Sequence, residues 1–314
     1  MRKKIIIVFF ISGILLVKNV FAQDPFNNKG FDLSNLTISM EYMKDGGPPR
    51  DGIPSIDNPE FLIIQEAGFM QDEDRILGIS FNGVSKAFPV KILNFHEIVN
   101  DKFGDHPVVV TFCPLCGSGL AFDALIEDGR KTFGVSGLLY NSDVLLYDRQ
   151  TETLWSQIMS KAVSGPLVGH KLKVFQTYNT SWKEWKTQHP NTLVLSTNTG
   201  YDKDYSRDPY PDYYESEKVW FPVANTNDAM HAKTKVIGLD INGTYKAYPF
   251  PELKKAKKPI RDQVDGKEIL IHFNKKEESA YITDANEKII PSTTLFWFAW
   301  VAFHPGTEIY SAKN

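Results

Sequence analysis

Cysteine is the scarcest informative residue in this chain of 314: there are two, Cys113 and Cys116. Two cysteines three positions apart cannot staple a large fold, so a disulfide framework is excluded and the pair is a local device. An excess of basic charge is also missing. The chain has 35 Lys and Arg against 38 Asp and Glu, a net charge of −3. Nucleic-acid binding, which calls for a basic face, is not expected. No Gly-Lys-Ser/Thr follows the glycines of Gly134-Val135-Ser136-Gly137, so a phosphate-cradling loop is absent. Gly117-Ser118-Gly119 lacks the G-x-S-x-G spacing of a nucleophile elbow.

Long apolar runs are absent after the first twenty residues. At the start, Arg2, Lys3 and Lys4 precede an apolar stretch from Ile5 to Val17, and Val20-Phe21-Ala22 closes it. These are the charged, apolar and small-x-small regions of a secretory signal peptide. The apolar stretch is shorter than the ~20 residues needed to span a bilayer. Cleavage is expected after Ala22, leaving no transmembrane segment and placing the protein in the periplasm or outside the cell. The signal holds Arg2, Lys3, Lys4 and Lys18 and no acid. Without those four, 31 basic residues face 38 acidic ones and the charge becomes −7. That charge reads as a solvated surface.

What is present favours strands. Aromatics make up 13% of the chain, and Val, Ile and Thr are frequent. Ile76–Pro89 and Val236–Pro249 resemble each other residue by residue, and each holds an Asn-Gly pair, at 82–83 and 242–243, between alternating apolar residues. That is a strong hairpin signal. Each is followed by a polar connector and a second apolar strand, Val108–Phe112 and Ile269–Phe273. The reading is a strand-rich α+β fold, with two weakly similar hairpin-plus-strand units (about 74–125 and 234–285) flanking a central β region. A signal peptide (1–22) and a lead-in segment (23–50) precede a single unit at 51–314. Short helices are expected over Asn94–Asp101 and Thr180–Gln188, the second capped by Thr180 or Ser181.

The chemistry concentrates at Cys113-Pro114-Leu115-Cys116-Gly117, after a buried strand. Pro114 constrains the turn, and Gly117 can take positive φ. Two thiols so placed can bind a soft metal, cycle between dithiol and disulfide, or form a static disulfide. No second cysteine knuckle exists, so a metal needs other ligands. His96, just before the cysteine-bearing strand, is the first candidate and His304 the second. Copper stands ahead of zinc, because Cu(I) accepts two or three soft ligands and closed zinc sites take four. If the pair is instead redox-active, Cys113 and Cys116 are the reacting residues of a thiol–disulfide oxidoreductase. The residues after the turn read as a strand, not as the helix of thioredoxin-like motifs. A third reading is a non-catalytic scaffold for an envelope protein partner. Asp143, Asp148 and Glu152 read as turn-capping residues.

Several longer motifs carry a family resemblance. These are Phe95-His96-Glu97-Ile98-Val99-Asn100-Asp101, Thr111-Phe112-Cys113-Pro114-Leu115-Cys116-Gly117 and the stretch Gly134–Asp143. Tyr147–Gln157 and Ser164-Gly165-Pro166-Leu167 continue it. With them the chain resembles the bacterial domain of unknown function 3179 (DUF3179) family over about residues 52–310. The resemblance implies one recurring unit and assigns no activity, substrate or cofactor.

Overall fold

The computed structural model describes residues 27–126 and 129–312. The expected signal peptide and the first residues of the lead-in lie outside the described residues. Strands hold 41% of the described residues and helices 11%. The mixed α+β class expected from the sequence is therefore replaced by a mostly β one. There is no central β region with flanking units. Five sheets of four or five strands form a five-bladed, propeller-like arrangement, with one further two-stranded ribbon. The reason is packing. Each amphipathic hairpin has one face to bury, and sheets stacked face to face bury it without helices. The described helices are correspondingly short, the longest spanning seven residues.

Both Asn-Gly pairs sit at hairpin turns. Arg75–Phe81 pairs with Val84–Pro89, and Lys235–Ile241 with Thr244–Pro249, both antiparallel. Asn82, Gly83, Asn242 and Gly243 all have positive φ, as a primed turn requires. After each hairpin comes a short helix, Val90–His96 or Phe250–Leu253, and then a three-stranded antiparallel meander. A strand then returns to the hairpin: Tyr178–Ser181 beside Arg75–Phe81, and Ser292–Phe296 beside Lys235–Ile241. A second helix and a short parallel strand complete each series. The two series cross-pack, with Ser292–Phe296 against Ser118–Asp123 and Tyr178–Ser181 against Ser279–Asp284.

Ser181 caps Trp182–Gln188 as expected, its hydroxyl accepting from the Glu184 N–H at 3.1 Å. The helix expected over 94–101 is displaced. It runs Val90–His96 and stops at Glu97, which has φ +57°. The strand Ile98–Phe103 then follows, as β-branched Ile98 and Val99 favour. The lead-in is anchored: Phe31 and Met43 are buried, and Met43–Asp45 joins the sheet of Phe133–Tyr140.

Gly78 and Gly238 show why these strands carry glycine at matching places. A Cβ on Gly78 would come within 2.5 Å of the Trp185 ring, and one on Gly238 within 2.4 Å of Trp300. Both indoles are fixed by N–H donation at 2.8 Å, to Thr192 and Thr307. Neither ring can retreat. Gly78→Ala and Gly238→Ala are each expected to destabilise the protein by about 1–3 kcal/mol through overpacking, read as a lower urea midpoint. An unchanged midpoint for both would disprove this account.

Candidate metal centre

The cysteine turn joins His106–Cys113 to Ser118–Asp123, with Cys113 opposite Ser118 in the ladder. Its base is held by a buried polar chain. The Ser118 hydroxyl donates to Gln157 Oε1 at 2.6 Å, and Gln157 Nε2 donates to Thr111 Oγ1 at 3.0 Å. Its tip is held by Phe296 of the other series and by Tyr213, which precedes that series. The Phe296 N–H donates to the Cys116 carbonyl at 2.8 Å, and the Tyr213 hydroxyl to the Leu115 carbonyl at 2.9 Å. Gly117 takes φ +61°, and a Cβ there would lie 3.0 Å from the Phe296 ring. Both cysteines are free and fully buried.

A second turn meets this one from another sheet. Asn141 and Ser142, both at positive φ, reverse the chain between Phe133–Tyr140 and Asp143–Asp148. The reversal aims the Ser142 carbonyl at the sulfurs, 3.4 Å from Cys116 Sγ and 3.8 Å from Cys113 Sγ. It also brings in Asp143, which is fully buried. One ligand atom each from Cys113, Cys116 and Asp143 lie within 4.8 Å of one another. Asp143 Oδ2 accepts from the Ile158 N–H at 3.0 Å, while Oδ1 has no hydrogen-bond partner.

The surroundings are hostile to negative charge. Burial pushes the Asp143 carboxyl up to about 7. Glu97, also buried, is pushed up to about 8 by burial and by its proximity to Asp143. Burial raises both thiols too, Cys116 well above its ordinary value. No Lys or Arg among the described residues forms an ion pair with Asp143 or Glu97. Four acids thus share a buried place without a direct cationic partner.

The family model described as "Protein of unknown function (DUF3179)" matches residues 50–288. The chain belongs to this family. No curated protein and no solved structure matches it. The matched span includes Cys113, Cys116, Asp143, Glu97 and His96, whereas His304 lies beyond it.

The two histidines singled out in the sequence stand outside the Cys-Cys-Asp group. His96 is fully buried with both ring nitrogens engaged. Nδ1 is 2.7 Å from the Pro54 carbonyl, which can only accept, so Nδ1 carries the hydrogen. Nε2 accepts from the Tyr205 hydroxyl at 2.6 Å. His304 is packed against Trp300 and stacked on Tyr245, with Nδ1 unpartnered. Of the acids read as turn caps, Asp148 does hold a turn, accepting from the Thr151 N–H at 2.7 Å, and Glu152 pairs with Arg50. Asp143 is the exception. Its only signal in the sequence was its place at the end of the long family-like stretch Gly134–Asp143.

Proposed function

We propose that this is an exported protein that binds one metal ion through Cys113, Cys116 and Asp143. The observation that carries the reading is the unpartnered, buried Asp143 Oδ1 beside two free thiols. An ionised acid in such a place is costly unless a cation meets it. A metal ion would draw off the protons and convert the cluster into bonds. The oxygen donor changes the preferred ion. Copper(I) favours sulfur, whereas zinc takes thiolate and carboxylate together, so zinc moves ahead of copper. The Ser142 carbonyl, within 3.8 Å of both sulfurs, is a further donor at hand.

Thiol–disulfide exchange is less well supported. Exchange needs an accessible thiolate, and these sulfurs are buried with raised pKa values. The strand Ser118–Asp123 follows the turn, so no helix N-terminus stabilises a thiolate there.

The deciding experiment is metal titration of reduced protein under anaerobic conditions, with bound metal read by mass spectrometry. One zinc per chain is expected. A protein that retains no metal, but whose cysteines equilibrate readily with a glutathione couple, would be an oxidoreductase instead. For export, N-terminal sequencing of the envelope-fraction protein is expected to begin at Gln23. Intact Met1 in a cytoplasmic fraction would refute it.

A further inference from the structure

A cavity of about 750 Å³ opens beside the first residues of the strands Arg75–Phe81 and Lys235–Ile241 and Gly117 of the cysteine turn. Phe69, Phe112, Tyr214 and Phe296 give it apolar walls, and Gly117 forms part of its floor. Its charged lining is one-sided. Among its lining residues, five cations (Arg75, Lys91, Arg207, Lys233 and Lys235) outnumber two acids (Asp74 and Asp208), with Glu278 meeting Lys235 from outside the lining.

The pairing of these charges decides what the cavity can hold. Lys91 is neutralised by Asp74 at 2.6 Å, and Lys235 meets Glu278 at 3.4 Å. The other three have no carboxylate within ion-pair distance among the described residues. Arg75 is held by neutral oxygens: the carbonyls of Glu277 at 2.6 Å and Asn179 at 2.7 Å, and the Asn179 side chain at 2.6 Å. Burial pulls it down only to about 10, with Glu278, Glu184 and Glu277 acting against that pull. It is therefore charged at neutral pH. Lys233, 5% exposed, donates to the carbonyls of Ser216 and Lys218. Arg207 is exposed at the rim. Burial pulls Lys233 down from its ordinary value, and low-dielectric walls focus into the cavity the field of the charge these groups carry.

We propose that this cavity binds a small organic anion with an apolar body, of the aryl carboxylate class. The ring would lie among Phe112, Tyr214 and Phe296, and the carboxylate would face Arg207 in the field of Arg75 and Lys233. Apolar enclosure with a few polar groups that set orientation is the usual form of a small-molecule site. The proposal is independent of the metal centre, although Phe112 and Gly117 belong to both neighbourhoods.

The test uses the mature chain and three probes, 2-naphthoate, the neutral 2-naphthylmethanol and inorganic phosphate, followed by calorimetry. Naphthoate should bind saturably at one site per chain. The alcohol should bind roughly tenfold more weakly, and added salt should weaken naphthoate alone. Arg207→Glu, an exposed change, should weaken naphthoate roughly tenfold and leave the alcohol unchanged. Cys113→Ser/Cys116→Ser protein should still bind naphthoate, which separates this site from the metal centre. Equal affinity for acid and alcohol would overturn the proposal, as would indifference to Arg207→Glu. Tighter binding of phosphate than of naphthoate, or no saturable binding up to about 5 mM, would overturn it too.

Discussion

Asp143→Asn should lower the zinc affinity of the reduced protein by about a hundredfold or more, while His96→Gln should leave it within about twofold. The asymmetry follows from geometry. Asp143 offers a free carboxylate oxygen to the sulfurs, whereas both nitrogens of His96 are committed to Pro54 and Tyr205. An amide cannot supply the anionic oxygen, but it can still accept from the Ile158 N–H, so Asp143→Asn protein should fold. Cys113→Ser and Cys116→Ser should each abolish binding, since a two-ligand remnant in a buried site holds zinc poorly. Competition against a chromophoric chelator gives all four affinities. A His96→Gln loss as large as that of Asp143→Asn would show that the Cys-Cys-Asp group is not the ligand set.

The stability of metal-free protein should fall as pH rises from about 5 to 8, and zinc should reverse the trend. Unfolded Asp and Glu lose their protons near 3.8 and 4.5, but the folded chain holds those of Asp143 to about 7 and of Glu97 to about 8. Between these values the folded state binds more protons than the unfolded one, so the free energy of unfolding declines with pH. Each group contributes roughly 1.4 kcal/mol per pH unit while it remains protonated only in the folded state. The groups near the cluster are Asp143, Glu97, the thiols of Cys113 and Cys116, and Tyr210, Tyr213 and Tyr214, and none of them supplies a positive charge. The raised thiols extend the decline above neutrality. Zinc requires deprotonated ligands, so its affinity and its stabilisation grow over the same range. Urea midpoints between pH 5 and 8, with chelator and with zinc, measure both trends. Metal-free stability that rises with pH would mean that the acids are ionised and compensated in the folded protein.

Much of the local structure was legible in the residues. Asn82-Gly83 and Asn242-Gly243 announced their turns because positive φ at two successive positions is open to few residues. Ser181 announced a helix start because its hydroxyl can accept from the Glu184 N–H three residues on. The cysteine turn announced itself because Cys113 and Cys116 are three apart on one bend. The helix over 94–101 was misplaced because Glu97, where the chain turns from helix to strand, has no residue-level marker for its positive φ.

Asp143 was read as a turn former, and the Asn141-Ser142 turn beside it is indeed present. Its place at the sulfurs depends on how the sheet of Asp143–Asp148 packs against that of His106–Cys113. No periodicity within either strand encodes that contact. The fold class was misjudged for the same reason. Strand patterns specify which face of each strand is buried, but not how many sheets share the core. The sequence by itself determined the hairpins, the capped helix and the paired thiols, because each rests on backbone geometry within a few residues. Only the tertiary structure decided that Asp143 lies beside the two thiols, that His96 meets Pro54 and Tyr205, and that five cations line one cavity. Those are contacts between side chains distant in sequence, and packing of whole sheets sets them.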